Sequence, residues 1–89
     1  MNDTYTNVVK HPVDIGSTLY IIWRSHNYVI AKCTVKAIIY DADGWRIIYR
    51  FNNGRKSRVC FPSDFGETVF KTFDEANNVL TDYLKGIKQ

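Results

Sequence analysis

The sequence predicts a mainly β (α+β) fold, in which a small antiparallel barrel or curved sheet of four or five strands is completed by one C-terminal amphipathic helix. Apolar and polar residues alternate with period two through the middle of the chain, which is typical of strands with one buried face. Two glycine-ended turns separate these strands, and apolar residues near the C-terminus recur at helical spacing. The chain of 89 residues is 45% hydrophobic and 15% aromatic, which excludes a disordered class and suffices for one core.

The predicted domain organisation is a loose arm over residues 1–13, followed by one globular domain over residues 14–89. The arm is polar and lacks periodicity, apart from a short edge strand at Val8-Val9. Alternation in the domain predicts four strands and a brief fifth one, at Thr18–Arg24, Tyr28–Tyr40, Trp45–Phe51, Arg55–Phe61 and Thr68–Phe70.

The turns at Ala42-Asp43-Gly44 and Asn52-Asn53-Gly54 set the predicted register of the sheet. Both fit three-residue hairpin loops with glycine in the left-handed position. A shift of one residue would move every side chain to the other face, so each loop length can be checked against the apolar pattern. The core pairs that this register predicts are Ile39–Ile47, Ala37–Tyr49, Val35–Phe51, Ile47–Val59 and Trp45–Phe61.

The C-terminal segment predicts a helix that covers an apolar face of the sheet. Thr72 and Glu75 form the pattern of a capping box. Two placements are open: the helix plugs the end of a barrel, or it packs over Ile38 and Ile48. The apolar residues at helical spacing are Phe73, Ala76, Leu80, Tyr83, Leu84 and Ile87.

The candidate catalytic and metal-binding residues are scattered. Nucleophilic catalysis needs a thiol or hydroxyl beside a positioned base. In the predicted register Cys33 faces inward and Cys60 outward, while His11 lies in the arm and His26 in the first loop. Zinc ligands usually occur as close pairs, and these four residues are isolated. We therefore predict no enzymatic activity, no metal site and no cofactor.

The N-terminus has neither the basic start nor the apolar stretch of a signal peptide. No apolar run approaches the roughly 18 residues of a membrane-spanning helix. The sequence contains 2 cysteines, fewer than small secreted domains usually carry. We expect a cytoplasmic protein with no membrane partner.

The outer face of the predicted sheet carries a basic stripe. In the predicted register Lys36 lies opposite Arg50, and Arg50 lies opposite Lys56. Like charges placed directly opposite each other repel, so this face is either a solvated surface or a binding site for an acidic partner. The predicted partner-binding residues are Lys36, Tyr40, Arg46, Ile48, Arg50, Lys56 and Arg58.

Two segments of the chain resemble a group of small proteins encoded by bacteriophages and mobile elements of Gram-positive bacteria. They are Ile15–Tyr20 and Asp64–Thr72, the latter followed by Glu75-Ala76. With the strand pattern the similarity extends over residues 15–84, and it implies an SH3-like barrel with a C-terminal helix. Small phage proteins of this size often bind a host protein, so the resemblance implies an inhibitor of a host protein such as a CRISPR-type defence effector.

These observations favour a non-catalytic module whose basic stripe meets an acidic surface of a host protein. The alternative is direct binding of DNA or RNA, as in Tudor- or KOW-like barrels, with tyrosines on the outer face available for base stacking. A structural role in a virion is a third hypothesis. The net charge of +3 fits any acidic partner without identifying one.

Overall fold

The computed structural model describes residues 12–23 and 28–87, which form one antiparallel sheet and a C-terminal helix. The five strands have the order β4-β3-β2-β1-β5, with β4 and β5 at the edges of an open sheet. The predicted mainly β architecture with one C-terminal helix is therefore confirmed, in the form of a five-stranded sheet. The elements are β1 (Thr18–Trp23), β2 (Val29–Asp41), β3 (Gly44–Phe51), β4 (Ser57–Cys60), a short 3-10 helix (Pro62–Asp64), β5 (Val69–Phe70) and α1 (Phe73–Ile87).

The predicted three-residue turn between β2 and β3 is wrong, because the strands extend further and Asp41 pairs with Gly44. The loop between them consists of Ala42 and Asp43. The Asp43 amide donates a hydrogen bond of 2.9 Å to the Asp41 carboxylate, so an Asx turn stabilises the tighter bend. Gly44 follows with φ of +127°, a conformation that residues with a Cβ rarely adopt.

A β-bulge between Val35 and Ala37 changes the register of β2 against β3. Before the bulge Val35 lies opposite Tyr49, whereas after it Ile38 lies opposite Ile47. Bulges insert one extra residue in one strand and so reverse the alternation beyond them. The observed pairs replace the predicted ones, which were Ile39–Ile47, Ala37–Tyr49 and Val35–Phe51.

The predicted turn between β3 and β4 is also wrong, because the observed connection is longer. Arg50 pairs with Ser57, and the residues 52–56 form the loop. The register differs from the prediction by an odd number of residues, which brings Cys60 rather than Val59 opposite Ile47. Cys60, predicted to face outward, is accordingly only 1% exposed. The predicted pairs Ile47–Val59 and Trp45–Phe61 are therefore not formed.

The first residue of that loop is tied to β2. The Asn52 amide donates a hydrogen bond of 3.0 Å to the Lys32 carbonyl, and the Thr34 hydroxyl donates one of 2.7 Å to Asn52 Oδ1. The Gly54 amide then bonds to the Phe51 carbonyl at 3.1 Å and turns the chain. The loop thus begins at a fixed position beside β2.

One core lies on the face of the sheet that we call the inner face. Cys33 and Val35 from β2 and Ile47 from β3 are fully buried there, as the alternation predicts. Phe65 packs against this core from the segment after β4, and its ring meets Trp45 edge to face at 5.7 Å. The buried members are Leu19, Ile21, Cys33, Val35, Ile47, Tyr49, Cys60 and Val69.

A second, smaller core lies on the opposite, outer face, where α1 packs over β1 and β5. Ile22, Phe70 and Ala76 are buried in it, and Leu80 and Tyr83 pack around them. The Thr72 hydroxyl accepts a hydrogen bond of 3.2 Å from the Glu75 amide, as expected for the predicted cap. The helix therefore adopts neither placement considered from the sequence. Over the described residues, no helix combines the length and hydropathy that crossing a membrane requires.

Burial keeps both thiols of the inner core neutral. Loss of solvation raises the pKa of Cys33 and of Cys60 to about 12. The charge of Cys60 raises the pKa of Cys33 further, and the charge of Asp64 raises that of Cys60. Burial likewise raises the pKa of Tyr49 to about 12. Because the unfolded chain ionises at lower pH than the folded one, these groups stabilise the fold below about pH 9 and lose that contribution as the pH rises.

We expect the free energy of unfolding to fall between pH 8 and pH 10.5. Each thiol contributes a slope of up to roughly 1.4 kcal/mol per pH unit above its unfolded pKa. Urea unfolding followed by circular dichroism at several pH values measures this slope. A stability that stays constant over this range contradicts the burial of the two thiols as neutral groups.

Replacing Gly44 with alanine tests the conformation at the start of β3. A Cβ added there meets no atom within 4 Å, so the cost arises from the positive φ alone. We expect Gly44→Ala to lower the free energy of unfolding by about 1–3 kcal/mol in urea titrations.

The matched control is Gly86→Ala near the end of α1. Its Cβ also meets no atom within 4 Å, and Gly86 does not have a positive φ. Alanine is the better helix former, so stability should stay equal or rise by up to about 1 kcal/mol. Equal losses in the two variants would contradict the conformational explanation.

Candidate partner-binding cleft

The predicted basic stripe does not form as one row of opposed cations. Arg50 lies opposite Thr34 on one side and Ser57 on the other, rather than opposite Lys36 and Lys56. Lys36 occupies the bulge, and Lys56 belongs to the longer loop after β3. The two corrected connections thus divide six of the seven predicted residues into three groups, and Ile48 lies apart from them.

The first group consists of Lys36 and Arg50 on the outer face. Both line a shallow depression of about 450 Å³ together with Thr34 and Asn52. Its walls are mostly polar, and both cations are exposed to solvent. The structure brings these two predicted residues together, on one side of the 52–56 loop.

The second group lies near the turn between β2 and β3. Arg46 forms an ion pair with the Asp41 carboxylate. The hydrogen bond from the Asp43 amide, and then Arg46, lowers the pKa of Asp41 below its usual range. Tyr40 lies opposite Trp45, so it shares the parity of the inner face instead of the predicted outer one. Ile48 separates Arg46 from Arg50 along β3, and the Asp41 carboxylate neutralises the charge of Arg46, so this group does not extend the first one.

Ile48 lies between these groups on the outer face, and its neighbours there are apolar. It pairs with Ala37 on β2 and with Val59 on β4. Val59 is 41% exposed. Ile48 therefore belongs to a short apolar row across the outer face, with Val59 rather than a basic residue opposite it on β4.

The third group, Lys56 and Arg58, lines a cleft of about 610 Å³ on the other side of the loop. Arg58 pairs with Tyr49, so its side chain belongs to the inner face. Arg55 lines the same cleft, and Lys32 borders it from β2, although its side chain has the parity of the outer face. We call this feature the basic cleft.

The floor of the basic cleft is the part of the inner face that extends beyond the core. Trp23 pairs with Val29 at the end of β1, and Phe51 ends β3 opposite Cys33. The rings of Trp23 and Phe51 stack with centroids 4.8 Å apart and planes inclined by 18°. Phe51 also meets the buried Tyr49 edge to face at 5.7 Å, which connects the floor to the core.

Arg58 lies over this floor. Its guanidinium carbon is 5.7 Å from the centre of the Trp23 ring, within the range of a cation–π contact. Such a contact holds the long side chain above the apolar floor and leaves its N–H groups available at the edge. Arg58 is thereby positioned at the boundary between the apolar and the charged parts of the cleft.

The basic cleft carries charge of one sign. Among the described residues that line it, Lys32, Arg55, Lys56 and Arg58 are basic and none is acidic. None of these four forms an ion pair within the described part of the chain. Cations gathered around an apolar surface of low dielectric constant raise the local concentration of anions. The arrangement can bind a ligand that combines negative charge with an apolar group.

Sequence reasoning did not identify Trp23, Val29, Phe51, Lys32 and Arg55 as site residues. The sequence pattern correctly predicts that the rings of Trp23 and Phe51 lie on the inner face. It does not show that this face extends beyond the buried core. The signal available in the sequence is the run Gly54–Arg58, in which three of five residues are basic and which begins three residues after Phe51.

The candidate catalytic and metal-binding residues are the two cysteines and the two histidines. Cys33 and Cys60 both lie in the inner core, so the predicted inward orientation of Cys33 is confirmed and the predicted outward orientation of Cys60 is wrong. His11 and His26, like the predicted strand at Val8-Val9, lie outside the described residues. Within residues 12–23 and 28–87, no three histidine, cysteine or acidic side chains gather as metal ligands would.

Comparisons of the chain with known protein families, with curated proteins and with solved structures each find no significant match. The geometry and charge of the basic cleft are therefore the features that point to a function.

Proposed function

We propose that this protein is a non-catalytic binding module that engages an acidic protein partner through the basic cleft. The observation that carries the proposal is the set of three basic side chains, Arg55, Lys56 and Arg58, beside an apolar floor, with no acidic residue among the described lining. Energetically important interface residues are enriched in tryptophan and arginine, and the cleft places Arg58 directly over Trp23.

A protein partner fits the state of the aromatic rings better than a nucleic acid does. Bases bind single-strand-binding proteins by stacking on open ring faces. Phe51 already stacks on Trp23, and Arg58 lies over the same ring. Less ring surface is left for a base, whereas carboxylates can reach the guanidinium without displacing either ring.

The identity of the partner is a further part of the proposal. The resemblance to small phage and mobile-element proteins suggests a host protein in the bacterial cytoplasm, such as a CRISPR-type defence effector, which the module would inhibit by occupying an acidic surface. Its support is the similarity of the segments Ile15–Tyr20 and Asp64–Thr72 to that group.

Binding of DNA or RNA is the second candidate function. The observation that favours it is the position of cations on both sides of the 52–56 loop, with Lys36 and Arg50 on one side and Lys56 and Arg58 on the other. A phosphate backbone crossing this loop would contact both groups. Such binding weakens steeply with salt, in proportion to the number of phosphates contacted.

Charge reversal on one side of the loop at a time tests the proposal. We expect Lys56→Glu with Arg58→Glu to abolish capture of the partner from a bacterial lysate, since reversed charges repel an acidic surface. The matched control is Lys36→Glu with Arg50→Glu, which changes the net charge equally but outside the basic cleft. Mass spectrometry of the retained proteins gives the readout.

A host protein retained by the wild type and by the control, and lost with the cleft variant, supports the proposal. Equal retention by all three, or retention of no specific protein, contradicts it. Titration of labelled single- and double-stranded oligonucleotides from 50 to 200 mM salt separates the second candidate, for which both double variants should lose affinity.

A further inference from the structure

The floor of the basic cleft suggests what kind of acidic partner it takes. Val29 is 45% exposed and lies beside Trp23 and Phe51, so the cleft offers apolar surface as well as charge. Burying an apolar side chain there removes both surfaces from water. A ligand made only of charged groups would leave that gain unused.

The shape of the basic cleft favours a segment over a folded surface. Its volume of about 610 Å³ lies within the range of roughly 300–1,000 Å³ typical of pockets for small ligands. A standard interface between folded proteins is broader and flatter, at about 800 Å² on each side. A few residues of an extended chain fill a cleft of this size, whereas a flat acidic face would bridge over it.

The positions of the cations relative to the apolar floor indicate where a bound segment would carry its carboxylates and its apolar side chain. Arg58 lies over Trp23 at the floor, and Arg55 and Lys56 come from the loop beside it. Lys32 borders the cleft from β2, but it pairs with Tyr20, so its side chain has the parity of the outer face. A segment crossing the floor therefore meets Arg58 from β4 and Arg55 and Lys56 from the loop.

We propose that the basic cleft recognises a linear acidic segment that presents one large apolar side chain between carboxylates. The apolar side chain contacts Val29 and the stacked rings of Trp23 and Phe51, and the carboxylates contact Arg58 and its basic neighbours. This inference rests on the proposed function, because it specifies the part of the acidic partner that the cleft binds.

Two synthetic peptides of equal charge test this inference by fluorescence anisotropy. Each has three glutamates on either side of one central residue, which is leucine in the first and serine in the second. We expect the leucine peptide to bind at least about tenfold more tightly, because only its central side chain gains from leaving water. A thymidine oligonucleotide of equal charge is titrated alongside.

Two matched variants show where the leucine is bound. Val29→Ser should remove most of the difference between the peptides, whereas Val59→Ser should preserve it. The two valines are exposed to similar extents, 45% and 41%, and Val59 lies on the outer face away from the cleft. Urea unfolding of both variants checks that they are folded, and the comparison of the two peptides on the wild type needs no variant.

The outcomes distinguish this inference from the function on which it rests. A preference for leucine that Val29→Ser reduces and Val59→Ser does not supports the inference. Equal binding of the two peptides, weakened by Lys56→Glu with Arg58→Glu, overturns the apolar contact and retains the acidic partner. Absence of peptide binding in 50 mM salt overturns both, and tighter binding of the oligonucleotide overturns the inference in favour of nucleic acid.

Discussion

The pairing of β2 with β3 is the constraint on which the rest of the structure depends, because successive side chains of a strand point to opposite faces. On one side of the bulge at Val35 and Ala37, odd-numbered residues of β2 fill the inner core. On the other side Ile38 points inward instead. The bulge thereby lets one long strand contribute to the inner core along most of its length, although its apolar residues do not alternate strictly.

The two faces of the sheet have different coverings, and this division determines where a partner can bind. The helix occupies the outer face at β1 and β5, while the inner face is covered by residues such as Phe65. Within residues 12–23 and 28–87, neither covering includes the end of the inner face beside Trp23. The basic loop is held next to that end because Asn52 is bonded to Lys32 and Thr34 of β2. Local hydrogen bonds at the start of the loop therefore bring its cations to the apolar floor.

The sequence is sufficient to predict the approximate positions of the five strands along the chain, the inner positions of Cys33 and Val35, and the helix cap at Thr72. Each depends on a local pattern of several residues. Loop lengths were predicted wrongly because the pattern at the strand ends is ambiguous. Ala37, Ile38 and Ile39 are all apolar, so either parity satisfies the alternation.

The same ambiguity affected β4, and with it the candidate site. Val59 and Phe61 are larger apolar residues than Cys60, and their hydrophobicity favoured the wrong face. In the observed register the two faces of β4 are exchanged relative to the prediction. This exchange brings Arg58 to the inner face, and Lys56 no longer lies opposite Arg50. The basic cleft could not be predicted from the sequence because it combines the ends of β1 and β3 with a loop whose length was uncertain.

The burial of Cys33 and Cys60 has a consequence for their chemistry with oxidants and alkylating reagents. These reagents attack the thiolate, and each thiol is both shielded from solvent and kept protonated. Modification therefore requires the inner core to open first. The rate at which iodoacetamide labels the native protein thus reports how often the sheet opens, so the two cysteines serve as internal probes of its dynamics.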